Sequence, residues 1–154
     1  MTRTRAPADR LLPGLLLFWA GLSAGVAFLA TPVKFLAPSL SLPVALDVGR
    51  HTFRAYNATE IVLLAFALVV GVLSASKIRW YLAFVIPALA VGLQTLWLLP
   101  ELDRRVVSIL GGAADAGTSP LHAAFIGVEA MKVAGLLGVG LCLLRPSGAW
   151  TRWR

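Results

Sequence analysis

Four polar side chains occupy one helical face at the head of an apolar stretch. Arg50, Arg54, Asn57 and Glu60 fall at i, i+4, i+7 and i+10. A second face carries His122, Glu129 and Lys132 at i, i+7 and i+10, and Gln94 lies in a third apolar stretch. A charge inside a membrane span costs about 2.5–3.5 kcal/mol on insertion scales, so each of these residues requires a compensating partner. Two kinds of chemistry fit the set. Glu129 and Lys132 can form a local i,i+3 ion pair that lowers the insertion cost and locks helix packing. Alternatively, Glu60, Glu129 and Lys132 line a cavity for a polar or ionic ligand. A buried carboxylate beside a lysine holds either an ion pair or a shared neutral state, depending on desolvation, which suits proton coupling.

His51 and His122 are the two histidines of the chain. Two histidines on facing helices can hold a haem or a copper ion. No further histidine pair, Cys ligand or Met cluster accompanies them, so both read as interfacial polar residues. Neither a metal nor a cofactor is expected. No Ser/His/Asp arrangement, phosphate loop or hydrolase-type carboxylate pair is evident, so no catalytic residue is assigned. The lone Cys142 excludes an intrachain disulfide and a Cys-based zinc cage.

The elements that position these residues follow from composition. Of 154 residues, 58% are hydrophobic and 14% charged, and the mean hydropathy is +0.82. Soluble proteins average roughly 45–50% apolar and 25% charged residues, so a soluble enzyme and a disordered tail are both excluded. Four stretches reach the roughly 20 helical residues that cross a bilayer core: about 11–30, 55–75, 78–99 and 121–144. Only helices satisfy their backbone polar groups within such single spans. The expected fold is an all-α, integral membrane four-helix bundle forming one domain over residues 1–154. Arg3, Arg5 and Arg10 before the first apolar run resemble a signal peptide. The run is long, however, and a weak Ser23-Ala24-Gly25 cleavage site would fall in mid-span, so a retained helix is expected.

Between the first two spans, the Pro-rich yet apolar segment 31–54 is expected to lie on the membrane surface or fold back over the helices. Residues 100–120 read as a short helix followed by a flexible loop with Gly111-Gly112 and Gly117. A tight turn at Ser74–Lys77 makes the second and third helices antiparallel neighbours, and Pro87 predicts a kink in the third. Eight Lys and Arg flank the end that carries both termini (Arg3, Arg5, Arg10, Lys77, Arg79, Arg145, Arg152, Arg154). Five lie at the other end (Lys34, Arg50, Arg54, Arg104, Arg105). By the positive-inside rule both termini are cytoplasmic, which puts the polar set in the outer half of the membrane. The net charge of +7 is thereby explained without nucleic acid.

Trp80, Trp97, Trp150 and Trp153 suit an interfacial belt, whereas Trp19 falls within the first span. Gly21 and Gly25, and the row Ala130, Ala134 and Gly138, predict close helix packing within the bundle or between protomers. The partners expected are membrane lipids and a homo-oligomer or larger membrane complex.

The stretch Arg54-Ala55-Tyr56-Asn57-Ala58-Thr59-Glu60 resembles the R-A-x-N-x-x-E motif that opens the second helix of the MAPEG superfamily of four-helix membrane proteins. That resemblance implies glutathione binding by Arg54, Asn57 and Glu60, with the motif on the cytoplasmic side. The whole-chain pattern is similar to small bacterial four-helix proteins related to the transmembrane protein 205 group. It rests on Ala30-Thr31-Pro32-Val33-Lys34-Phe35, Leu93-Gln94-Thr95-Leu96-Trp97, and His122 followed by Glu129-Ala130-Met131-Lys132. This second resemblance implies the fold and no chemistry. The expectation is an inner-membrane, multi-pass protein without enzymatic activity. It would bind or pass a ligand or ion through a pocket of Arg50, Arg54, Asn57, Glu60, Gln94, His122, Glu129 and Lys132, or serve as an accessory subunit. The alternatives are a MAPEG-like glutathione-dependent protein and a structural subunit of a membrane complex.

Overall fold

The computed structural model describes residues 7–73, 77–113, 117 and 119–144. The described residues are helical apart from short turns, and four helices are long and apolar enough to cross a membrane. The first helix begins at Pro7, before the span expected from the sequence, and runs as an α-helix to Ala24. A π-helical stretch follows at Gly25–Ala30, and the helix ends through Thr31–Val33 and a 3-10 turn at Lys34–Leu36. The second helix is Leu42–Val72, 31 residues or about 46 Å at 1.5 Å per residue. That exceeds a hydrocarbon core of about 30 Å, so its N-terminal turns, with Arg50 and Arg54, project past the apolar segment.

The third helix runs from Lys77 to Leu93 through Pro87, passes a π-helical stretch at Gln94–Leu98, and continues as Leu99–Leu110. Pro120–Leu144 forms the fourth. Ser119 starts it in the usual N-cap manner: its Oγ accepts the Leu121 amide at 3.2 Å and its carbonyl accepts the amides of His122 and Ala123, while Pro120 occupies the first turn, where no amide proton is needed.

Each π-helical stretch is followed by a proline two residues later, Pro32 and Pro100. A proline ring clashes with the carbonyl four residues back, and widening the preceding turn relieves the conflict. The amide of Thr31 accordingly bonds the carbonyl of Val26, five residues back, as does its hydroxyl at 2.8 Å; the amide of Leu99 bonds Gln94 in the same way.

Two sequence expectations change here. Segment 31–54 is no surface connection, because helix occupies both its ends and only residues 37–41 link the first two helices. Segment 100–120 does contain the short helix, joined without a break to the third, and turns at Gly111-Gly112, where Gly112 has φ +96°. The turn residues Ser74–Ser76, together with Arg3, Arg5, Asp115, Arg145, Trp150, Arg152, Trp153 and Arg154, lie outside the described residues, as do the side chains of Lys77, Arg79 and Trp80.

The interior is layered along the helix axes. Near the termini, Leu12, Leu16, Ala20, Val70, Val91, Leu136 and Leu143 make an apolar core. Polar residues fill the middle, and a cavity opens at the opposite end. The outer faces carry Phe18, Leu29, Val62, Val72, Leu89, Leu96 and Met131, all exposed. Exposed leucine and valine surrounding buried glutamate and lysine is the arrangement expected in lipid, where apolar side chains gain nothing by facing inward.

Within the single chain, the small residues that permit close approach are not the predicted ones. Gly21, Gly25 and Gly138 have open space where a Cβ would stand, and Ala130 and Ala134 are exposed. Apart from Gly49, which the Lys34 ammonium abuts, the tight positions are Gly135, whose Cβ would meet Ile86 Cγ2 at 3.0 Å, and Gly140, whose Cβ would meet Leu17 Cδ2 at 2.9 Å. Regular spacing identifies a face of the fourth helix but not which face meets a neighbour. Gly140→Val should therefore be less stable than Gly138→Val by about 1–3 kcal/mol, the usual cost of overpacking. The two share one helix and one substitution, so propensity cancels, and thermal unfolding in detergent reads the difference.

Candidate functional site

All four helices contribute to the buried polar layer. From the fourth, Glu129 and Lys132 are completely buried; from the second comes Glu60, 1% exposed, and from the third Gln94, also 1% exposed. The Lys132 ammonium donates to Glu129 Oε2 and to Gln94 Oε1, each at 2.9 Å, and forms an ion pair with Glu60 Oε1 at 2.6 Å. The Gln94 amide nitrogen donates to Glu129 Oε2 at 2.6 Å. Gln94 begins the π-helical stretch of the third helix, so the proline-driven widening lies directly beside this contact.

Three further members complete the cluster. The Trp19 indole N–H donates to Glu60 Oε1 at 2.9 Å, with the ring fully buried. The Tyr56 hydroxyl lies 2.7 Å from Ser23 Oγ, 2.8 Å from Glu60 Oε1 and 2.6 Å from Glu129 Oε1. Its ring also faces the Lys132 ammonium, 5.3 Å from the ring centroid. None of Trp19, Ser23 and Tyr56 is among the site residues read from the sequence. Tyr56 stands one turn before Glu60, and Trp19 and Ser23 are one turn apart in mid-span, a spacing that signals a shared polar face.

Above this cluster, on the side away from the termini, is a cavity of about 730 Å³. Arg50, Arg54, Asn57 and His122 line it; Glu60, Gln94, Glu129 and Lys132 do not. The eight predicted site residues thus divide into an open group and a closed group, instead of forming one pocket. The floor joins them. Asn57 accepts a hydrogen bond from the Thr95 hydroxyl at 2.9 Å, and each of these cavity residues adjoins a cluster residue, Tyr56 or Gln94. On the fourth helix, Phe125 lines the cavity one turn from Glu129 and packs edge-on against Phe53, with ring centroids 5.1 Å apart.

The rim is cationic. Lys34, Arg50, Arg54 and Arg105 line the cavity, against one carboxylate, Asp103. Asp103 accepts Arg54 at 2.7 Å, and Arg50 bonds Asp47 at 2.8 Å. Arg50 Nε and Asp103 Oδ1 are buried 3.7 Å apart without hydrogen-bond partners, a deficit that a polar occupant of the cavity would relieve. The Lys34 ammonium lies over the Phe35 ring, 5.0 Å from its centroid, in space that the missing side chain of Gly49 leaves open. Arg105 donates to the Gly117 carbonyl at 2.6 Å, tying the loop to the third helix where Gly117 has φ +76°.

His51 is exposed, with Nδ1 2.9 Å from the Asp47 carbonyl, and does not line the cavity that His122 lines. Among the described residues, no group of three or more His, Cys, Asp or Glu side chains could hold a metal ion.

A comparison of the chain with family models, curated proteins and solved structures finds no match.

Removing the cation from the buried layer exposes two carboxyl groups to each other. Lys132→Met should cost about 3–5 kcal/mol of stability, the range for breaking a buried ion pair. Glu60→Gln introduced into Lys132→Met should cost much less than in the unmutated protein. A double-mutant cycle read by thermal unfolding in detergent checks this coupling, and additive effects would show that the two side chains act separately.

Proposed function

We propose that this chain is a multi-pass inner-membrane protein, built as a four-helix bundle, that binds a small anionic ligand with an apolar body in the cavity above its polar layer. The observation that carries this reading is the cavity lining: four cationic side chains and one carboxylate at the rim, with Phe35, Leu46, Phe53, Leu99, Val106 and Ile109 in the walls. A cavity of about 730 Å³ lies in the range of small-molecule sites, which are mostly apolar with a few placed polar groups. Arginine favours carboxylate and phosphate because its fork of donors matches their oxygens. The role is binding or permeation, or service as an accessory subunit, without chemistry on the ligand.

Arg54 and Asn57 both line this cavity, which favours a second reading, a glutathione-dependent protein of the MAPEG kind. The third residue of that motif, Glu60, is committed to Trp19 and Lys132 below the floor, so only two of the three residues face a ligand there.

The test uses purified protein in a neutral maltoside detergent. Dodecyl phosphate should raise the unfolding temperature, by the equivalent of about 2.7 kcal/mol at a hundredfold excess over its dissociation constant. Dodecyltrimethylammonium, of equal chain length and opposite charge, should not. Lys34→Gln with Arg54→Gln should abolish the difference. A heat of binding from glutathione without any effect of dodecyl phosphate would favour the second reading.

The proposed orientation places the cavity at the outer face and both termini in the cytoplasm, following the lysine and arginine distribution. A reporter fused after Arg154 should then be active only as a cytoplasmic enzyme, and one inserted at Gly112 only as an external one. The reverse pattern would turn the cavity toward the cytoplasm.

A further inference from the structure

We infer that the buried layer is a proton-binding site, with one proton held on Glu129 and shared through Tyr56 with Glu60. Two independent counts lead there. The first concerns charge. The layer is enclosed by Trp19 and Ser23 of the first helix, Tyr56 and Glu60 of the second, Gln94 of the third, and Glu129 and Lys132 of the fourth. Its ionisable members are two carboxyls, one ammonium and the Tyr56 phenol. With both carboxyls ionised the layer carries a net negative charge in fully buried surroundings, which is strongly disfavoured; one added proton makes it neutral.

The second count concerns hydrogen bonds. The Tyr56 oxygen makes three contacts of 2.8 Å or less, to Ser23 Oγ, Glu60 Oε1 and Glu129 Oε1. Each needs a proton between its oxygens, and the two hydroxyls supply two. The third proton must belong to a carboxyl. A phenol oxygen donates once and accepts twice; with the Ser23 proton directed at Tyr56 across 2.7 Å and not at Glu60 Oε1 across 3.5 Å, one carboxyl also donates to Tyr56, which donates to the other carboxyl.

The surroundings choose between the carboxyls. Glu60 Oε1 already faces the indole N–H at 2.9 Å and the ammonium at 2.6 Å, donors that favour an ionised oxygen. Glu129 Oε1 meets the Tyr56 hydroxyl at 2.6 Å, the shortest of the three contacts, while the donors Gln94 and Lys132 bind its other oxygen. The proton therefore lies on Glu129 Oε1. Its transfer to Tyr56, with the phenol proton moving on to Glu60, carries the neutral state from one helix to another and leaves the total charge unchanged. One residue or one helical turn separates this path from Asn57, Thr95 and Phe125 in the cavity, the entry for exchange with water.

Infrared difference spectroscopy of the purified full-length protein in detergent tests the assignment. The unmutated protein at neutral pH should show the carbonyl stretch of a protonated carboxylic acid, shifted in heavy water. Glu129→Gln, which replaces a neutral acid with a neutral amide of the same shape, should remove that band and leave the unfolding temperature nearly unchanged. Glu60→Gln should lower the unfolding temperature, since it takes away the anion that Lys132 faces. Absence of the band in the unmutated protein would overturn the proposal without recourse to any variant. Loss of the band in Glu60→Gln and its survival in Glu129→Gln would equally overturn the assignment. Stabilisation by sodium over choline at equal ionic strength, without the band, would mean that a metal cation and not a proton neutralises the layer.

Discussion

The arrangement of this protein turns on the Lys132 ammonium, fully buried and met by Glu60, Glu129 and Gln94 from three helices. An ammonium in apolar surroundings has no water to fall back on, so its acceptors and its counter-charge must come from neighbouring side chains. In lipid, apolar side chains provide little net force to bring helices together, and close packing with polar contacts supplies much of what does. The contacts of Lys132 with Glu60 and Gln94 therefore fix the depth and rotation of the second and third helices relative to the fourth. The first helix joins through Trp19, whose indole N–H reaches Glu60.

Two prolines set the shape around this centre. Pro32 and Pro100 each follow a π-helical stretch, and one of those stretches begins at Gln94. A widened turn shifts the side-chain register of everything beyond it relative to an uninterrupted α-helix. Thr31 and Lys34 on the first helix and Asp103 and Arg105 on the third are thereby presented to the cavity, while Ser23 and Gln94 stay with the polar layer. The same backbone feature thus marks the boundary between the sealed and the open part of the interior.

Glu60, Gln94, Glu129 and Lys132 were legible as candidates because each is a charged or amide side chain within an apolar stretch. Arg50, Arg54 and Asn57 were legible because they share a helical face with Glu60. Their division into two sites was not, because helical spacing gives direction around an axis and says little of where an interior closes. Asn57 and Glu60 lie three residues apart, yet one lines the cavity and the other is sealed below Tyr56. Trp19, Ser23 and Tyr56 are not legible as site residues for a related reason. Tryptophan, serine and tyrosine are tolerated in spans without partners, so their presence signals no cost that demands explanation.

By itself the sequence determined four helices of membrane-crossing length and the polar faces of the second and fourth, all properties of one helix or one short stretch of chain. Tertiary structure alone decided that Lys132 also meets Glu60, that Gly135 and Gly140 rather than Ala130, Ala134 and Gly138 face a neighbouring helix of the chain, and that the first two helices extend into the segment 31–54 from both ends. The reason is physical. Periodicity is a property of a single helix, whereas which turn of one helix meets which turn of the next is settled by matching protons to acceptors and small residues to large ones across the interface.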